Sequence, residues 1–259
     1  MDAPSLTLWC FTPASETGVT NLSSSLTNVP RHAAFVRITH WVTVVAFLAL
    51  LVSGVEVLLS HPRFYWGEVG NVNTSPLFAL PVPSSRGTVP TSFNFVLPDQ
   101  NGWSRYLHFQ AAWLLLFTGL VYMWRAARSG HITRDLVPAA PDRSWRALIR
   151  NLVEHLRFDP QAVGDPGSYN ALQRVAYLTV LFVLFPLIIW TGLAMAPAFT
   201  AVFPSSVALL GGRQSARTLH FVVTLLLVLF LVTHVLMIVV AGFRARMRPM
   251  FISTAEELP

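Results

Sequence analysis

Residues 219–242 read LHFVVTLLLVLFLVTHVLMIVVAG, an apolar block that contains two histidines, His220 and His234. A run of about 20 apolar residues is long enough to cross the hydrocarbon core of a bilayer as one helix. The 14-residue step between the histidines corresponds to about 21 Å along a helix and returns to within about 40° of the same face. The segment therefore predicts a membrane helix that presents one histidine at each of two depths.

Three further apolar blocks of similar length precede this one. They run roughly from Val36 to Leu59, from Leu107 to Ala127 and from Leu172 to Met195. Only 12% of the 259 residues are charged and 53% are hydrophobic, about half the charged fraction of an average soluble domain. These features predict an all-α membrane protein, a four-transmembrane-helix bundle over residues 31–245. Residues 1–30 are expected to form a flexible N-terminal tail, and residues 246–259 a C-terminal tail.

The net charge of +6 comes from 18 arginines and no lysine. The arginines flank the apolar blocks, which is typical of topology determinants and headgroup contacts and does not indicate nucleic-acid binding. Thirteen arginines lie on the side of the two termini and the second loop, and five lie on the opposite side. Since cytoplasmic segments are enriched in arginine, both termini are predicted to be cytoplasmic. The expected location is the bacterial inner membrane, where lipid surrounds the bundle.

The segments between the spans differ in character. The first outer loop, His61 to Ser104, is rich in proline and small polar residues and is expected to have little regular structure. Pro197 to Leu210 is predicted to lie at the membrane surface. Arg143 to Phe158 has an apolar face with arginines beside it, as expected for an interfacial helix.

The chain has one cysteine, Cys10. This excludes an internal disulfide framework, a four-cysteine iron–sulfur cluster and the C-x-x-C-H attachment of c-type haem. No Gly-rich nucleotide motif and no hydrolase motif is present, so a soluble active site in this chain is not indicated.

Four histidines lie inside the spans. Their depths predict two pairs: His108 with His220 near the outer surface, and His40 with His234 near the cytoplasmic surface. Ionisable residues inside a membrane are costly and tend to mark functional sites. Two neutral imidazoles facing each other at one depth suit the two axial positions of a haem iron. We therefore predict two non-covalent b-type haems.

An arginine precedes three of these histidines by three residues. Arg37, Arg105 and Arg217 each begin an R-x-x-H motif, which places the arginine one helical turn nearer the surface on the histidine's face. Arginine is a strong partner for carboxylates, so these residues are candidates for binding haem propionates. The alternative is that they only flank the spans.

The order of the histidines (one on each of spans one and two, none on three, two on four) resembles the bacterial cytochrome b561 superfamily. More narrowly, the sequence resembles the cytochrome b subunits of formate dehydrogenase, nickel–iron hydrogenase and thiosulfate reductase-type complexes. The resemblance covers about residues 31–245. It implies that His108 and His220 ligate the outer haem, and that His40 and His234 ligate the inner one.

The resemblance also implies electron exchange with quinone near the inner haem. The matching segment starts the third span, where Asn170 and Gln173 offer amide donors to a quinone carbonyl. The alternative is a capped polar helix start. The segment His61 to Glu68 is either an aromatic interface belt or a cap or docking element for a partner, and Glu56 is left without an assigned role.

The predicted function is electron transfer between the quinone pool and a periplasmic catalytic subunit, of molybdoenzyme or hydrogenase type. One alternative is a stand-alone quinone or superoxide oxidoreductase of the same family. Another is a non-haem proton or metal transporter.

Overall fold

The computed structural model describes residues 33–71, 73–82, 100–137, 171–240 and 242–251, with the single positions 146, 149 and 153. Four helices in this part of the chain are long and apolar enough to cross a membrane, which confirms the four predicted spans. In chain order the helices are α1 (Ala34–Ser60), α2 (Gln100–Arg128), α3 (Ala171–Thr179), α4 (Phe185–Met195), α5 (Pro197–Val202), α6 (Pro204–Leu209), α7 (Arg213–Val240) and α8 (Phe243–Phe251).

Helices α2 and α7 begin earlier than the apolar blocks that predicted them. The predicted starts were Leu107 and Leu219, whereas the helices start at Gln100 and Arg213. Their first turns are polar, so hydropathy alone does not include them. As a result His108 and His220 lie eight and seven residues inside their helices, which is roughly 10–12 Å from the helix starts.

The third span is a composite of α3, a π-helical turn at Val180–Leu184, and α4. Pro186 lies in the first turn of α4. A proline inside a helix lacks an N–H and collides with the carbonyl four residues earlier. The wider π turn, which accommodates one extra residue, lets the span continue past this proline.

The four spans pack as two pairs. Helix α1 packs along α2, and α4 packs along α7; within the described residues, contacts between the two pairs are much sparser. One shared apolar cluster contains Val180, Val223 and Leu227, and Phe47 of α1 packs against it. We call the side on which α1 begins and α7 ends the terminal side, and the opposite side the loop side.

The loop-side segment after α1 is anchored to α7. Strand β1 (Arg63–Phe64) pairs antiparallel with β2 (Phe78–Ala79), with Phe64 opposite Phe78. The Phe64 ring is 2% exposed and lies 4.5 Å, centroid to centroid, from Phe221 of α7. Residues 61–71 and 73–82 therefore have little regular structure, as predicted, but the buried Phe64 anchors this segment to α7.

Gly67 and Glu68 cap the first turn of α7. The Gly67 carbonyl accepts hydrogen bonds from the backbone N–H groups of Gln214 and Ser215, at 3.0 and 3.2 Å. A Glu68 carboxylate oxygen accepts one from the N–H of Arg213, at 3.1 Å. The first N–H groups of a helix have no partner within the helix, so the loop satisfies donors of α7 from 145 residues away.

The backbone of Gly212 makes this capping contact possible. Its φ of +107° lies in the left-handed region, and a Cβ atom there would sit 2.6 Å from the Gly67 carbonyl. Only glycine fits both requirements.

The connection between the third and fourth spans contains α5 and α6. Each of these short helices has a proline in its first turn, as is favourable at a helix start. They occupy the segment Pro197 to Leu210 that was predicted to lie at the surface.

On the terminal side, α8 continues the chain beyond α7. It extends to Phe251, so residues 246–251 of the predicted C-terminal tail are helical. The predicted N-terminal tail lies outside the described residues. The same is true of the predicted helix Arg143 to Phe158, apart from three single positions.

Candidate functional site

At the loop-side level of the bundle, His108 of α2 lies opposite His220 of α7. The centroids of the two imidazole rings are 6.3 Å apart and the ring planes make an angle of 58°. The pair bridges the two helix pairs, since α2 and α7 belong to different ones. This is the pairing that the depth argument predicted.

A hydroxyl group from the neighbouring helix holds His108. The Oγ atom of Ser53 lies 3.0 Å from His108 Nδ1, and the same hydroxyl donates to the Ala49 carbonyl at 2.7 Å. Because the hydroxyl proton is used in that bond, the oxygen accepts from Nδ1–H of the imidazole. The lone pair of His108 is then on Nε2, the nitrogen available to a metal ion.

The second half of the chain repeats this arrangement at His220. Thr191 Oγ1 donates to the Leu187 carbonyl at 2.8 Å and lies 3.0 Å from His220 Nδ1. Ser53 and Thr191 are both fully buried, at 0% exposure. A histidine ligand usually donates its other N–H to such a partner, which fixes the tautomer and the ring orientation.

A glycine follows each of the two hydroxyl residues. A Cβ atom on Gly54 would lie 3.6 Å from His108 Cε1, and one on Gly192 would lie 3.4 Å from His220 Cε1. Helix α1 therefore contacts His108 through Ser53-Gly54 in the same way as α4 contacts His220 through Thr191-Gly192. The loop-side level has an approximate two-fold symmetry that the sequence did not show as a repeat.

The terminal-side level pairs His40 of α1 with His234 of α7. Their ring centroids are 6.4 Å apart and their planes make an angle of 60°. Aromatic rings surround His234: Phe230 stacks on it at 5.6 Å, and Tyr177 of α3 meets it edge-on at 6.1 Å. His40 contacts Trp41 at 5.5 Å.

The distance within each pair fits one metal ion between two imidazoles. An imidazole nitrogen binds a metal ion at about 2 Å and the ring centroid lies about 1 Å farther, so two axial rings on one ion have centroids roughly 6 Å apart. Among the residues that the structure describes, no three His, Cys, Asp or Glu side chains gather into a metal site. Each histidine pair thus offers two ligands, on opposite sides, to one ion.

The three R-x-x-H arginines have different surroundings. Arg37, one turn from His40, has a buried Nη1 atom with no hydrogen-bond partner among the described residues. A buried guanidinium donor without a partner is costly, which suits an anionic group at this place. Arg105 is exposed. Arg217 donates to the His61 carbonyl and lies over the Phe64 ring at 5.1 Å, so it is engaged by the loop.

Of the two predicted quinone residues, Asn170 lies outside the described residues. Gln173 is half-buried in α3, four residues before Tyr177 and hence on the same helix face. Since Tyr177 touches His234, Gln173 lies near the terminal-side pair. Glu56 is half-buried.

Sequence reasoning missed three residues of the site: Ser53, Thr191 and Tyr177. The signal available was a small hydroxyl residue followed by glycine in the first and third spans, although the second span contains the same pattern at Thr118-Gly119. Tyr177 has the weaker signal of a tyrosine one turn after Gln173.

Comparisons with known proteins show which family the chain belongs to. The family model described as "Prokaryotic cytochrome b561" matches residues 31–252. The "Putative protein-methionine-sulfoxide reductase subunit YedZ1" of Azospira oryzae is 30% identical over 212 residues, 80% of this chain and 89% of that protein. The "Probable Ni/Fe-hydrogenase B-type cytochrome subunit" of Cupriavidus necator is 26% identical over 216 residues, 79% of this chain and 76% of that protein. No solved structure matches the chain significantly.

Proposed function

This chain belongs to the prokaryotic cytochrome b561 family, and on that premise we propose that it is the dihaem membrane subunit of an oxidoreductase complex. In this role it carries electrons between the quinone pool and a periplasmic catalytic partner. The observation that carries the proposal is the presence of two histidine pairs at two depths of one bundle. Within each pair the ring centroids are 6.3 and 6.4 Å apart, respectively.

The four histidines would hold the haems, His108 and His220 one of them, and His40 and His234 the other. When bound, a b-type haem supplies a one-electron redox centre. The residues of the chain hold and insulate the two sites. Ser53 and Thr191 orient the loop-side imidazoles, and the apolar cluster that contains Val223 and Leu227 fills the bundle between the two levels.

Quinone is proposed to react on the terminal side, next to His234. Gln173, with Asn170 just before α3, supplies amide groups that can donate to a quinone carbonyl. The half-buried position of Gln173 and its place one turn from Tyr177 support this assignment.

The catalytic chemistry is proposed to lie on another polypeptide. Both relatives are named as subunits, one of a methionine-sulfoxide reductase and one of a nickel–iron hydrogenase. The arginine distribution, thirteen against five, favours cytoplasmic termini in a bacterial inner membrane. The loop side, with the segment packed on α7, then faces the periplasm and the partner.

The haem content of the purified protein tests the proposal. Two b-type haems per chain are expected, with the loss of one in His220→Leu and of one in His234→Leu. His131→Leu is the matched control, because His131 lies in neither pair and packs against Phe35 and Tyr122. It should keep both haems.

A colourless wild-type protein would contradict the haem proposal and favour the transporter alternative. A single haem per chain would contradict the pairing by depth. Turnover by the isolated chain, with no partner recovered from mild detergent, would favour the stand-alone oxidoreductase.

A further inference from the structure

Helix α8 lies across the terminal-side end of the bundle. Gly242, with φ of +95°, turns the chain directly after α7, and α8 packs against α7 near this turn. Its far end reaches α1, where the Met250 carbonyl accepts a hydrogen bond of 3.2 Å from Trp41 Nε1. The Phe251 ring lies 4.7 Å from that of Trp41. Helix α8 therefore reaches from the end of α7 to α1 on the terminal side of the bundle.

The sequence of α8 has two faces. Phe243, Met247, Met250 and Phe251 recur at the i, i+4, i+7, i+8 spacing of one helix face. The Phe243 and Phe251 side chains are 53% and 64% exposed, so the protein covers this face only in part. An apolar face left open at the end of a membrane span is placed to enter the lipid interface.

Two exposed arginines border the apolar face. Arg244 and Arg248 are exposed and four residues apart, so their guanidinium groups project on the same side of α8. Guanidinium groups bind phosphate oxygens through paired hydrogen bonds. Basic groups beside a buried apolar face are typical of helices that bind anionic membranes.

We propose that α8 is an interfacial helix that binds anionic phospholipid headgroups through Arg244 and Arg248. The bound lipid holds α8 against Trp41, whose ring is 5.5 Å from that of His40. The lipid surface thereby supports the packing beside the terminal-side histidine pair. A free phosphate ion can form the same hydrogen bonds as a phospholipid headgroup, but it has no apolar part to cover the exposed apolar face.

Hydrogen exchange of the full-length protein in nanodiscs tests this. In discs of phosphatidylcholine with phosphatidylglycerol, the amides of α8 should exchange roughly 25-fold more slowly than in phosphatidylcholine alone, about fivefold for each arginine. The double variant R244Q/R248Q should lose this difference. The variant R125Q/R128Q is the matched control, because it removes two exposed arginines from the same side of the bundle, at the end of α2, and it should keep the difference.

Equal α8 exchange in the two kinds of disc would overturn the proposal. So would an equal loss of protection in R125Q/R128Q, which would indicate a general surface charge effect. Protection by inorganic phosphate in pure phosphatidylcholine discs would assign the site to a free ion.

Native mass spectrometry adds a measurement that needs no variant. The wild-type protein should retain phosphatidylglycerol in preference to phosphatidylcholine, and equal retention would again count against lipid binding at α8.

Discussion

The hydroxyl of Thr191 accepts a hydrogen bond from Nδ1 of His220 at 3.0 Å, because its own proton is already donated to the Leu187 carbonyl. This contact between α4 and α7 sets which nitrogen of His220 carries the lone pair. Its counterpart between Ser53 and His108 has the same length. The two contacts show that the loop-side site is built from equivalent positions in the two halves of the chain.

Replacing Thr191 by valine should weaken haem binding at the loop-side level. Valine keeps the shape and removes the acceptor, so the imidazole loses its fixed orientation. Loss of such a partner typically costs about 10–100-fold in metal affinity. Transfer of haem to a scavenging apoprotein should show one of the two haems leaving faster. Thr118→Val is the control, because among the described residues the Thr118 hydroxyl bonds to the Leu114 carbonyl of its own helix. It should release haem as the wild type does, and equal rates in both variants would contradict the assignment.

Replacing Gly212 by alanine should detach the loop from α7. The new Cβ would collide with the Gly67 carbonyl, at 2.6 Å, in a backbone conformation with φ of +107°. Forcing a side chain into such a conformation costs about 1–3 kcal/mol. Limited proteolysis should cut residues 61–82 faster, and thermal unfolding in detergent should occur at a lower temperature. Gly119→Ala should change neither, since no described atom beyond its chain neighbours and its own helix backbone lies within 4 Å of an added Cβ. An unaltered G212A protein would refute the capping contact.

Replacing Arg37 by glutamine should have opposite effects in the haem-free and haem-loaded protein. Without haem, the substitution removes a buried guanidinium donor that has no partner among the described residues. The free energy of unfolding should therefore stay the same or rise. With haem, it removes the proposed propionate partner, and the terminal-side haem should dissociate faster. Denaturation of both forms, together with haem release, gives the comparison. A stability loss in the haem-free protein would indicate a purely structural arginine.

Replacing Asn170 or Gln173 by alanine should impair quinone-coupled electron transfer and leave both haems in place. Loss of one hydrogen bond to the quinone should raise its KM by about three- to tenfold. Stopped-flow reduction of the haems by a quinol provides the rate, and the absorption spectrum reports haem content. Gln110→Ala removes an exposed amide from α2 and serves as the control. Unchanged quinol kinetics in both variants would place the quinone elsewhere.

Much of the architecture was predictable because a bilayer imposes strong constraints. A span needs about 20 apolar residues, so four blocks gave four helices, although polar first turns concealed the true starts of α2 and α7. Helix geometry then placed His220 and His234 at two depths of one face. Their partners, His108 and His40, followed from the depths at which these two histidines lie, because the direction of each span fixes the depth of its histidine.

The sequence by itself determined the number of spans, the order of the histidines and the levels at which they lie, because these follow from length, hydropathy and the rise of a helix. Only the tertiary structure decided that Ser53 and Thr191 hold the loop-side histidines, and that Gly67 caps α7. A serine or threonine hydroxyl at any position of a membrane helix can donate to the carbonyl four residues earlier in the same helix. Which neighbouring ring it meets depends on how the helices pack, and packing joins residues such as Gly67 and Ser215, 148 positions apart in the chain.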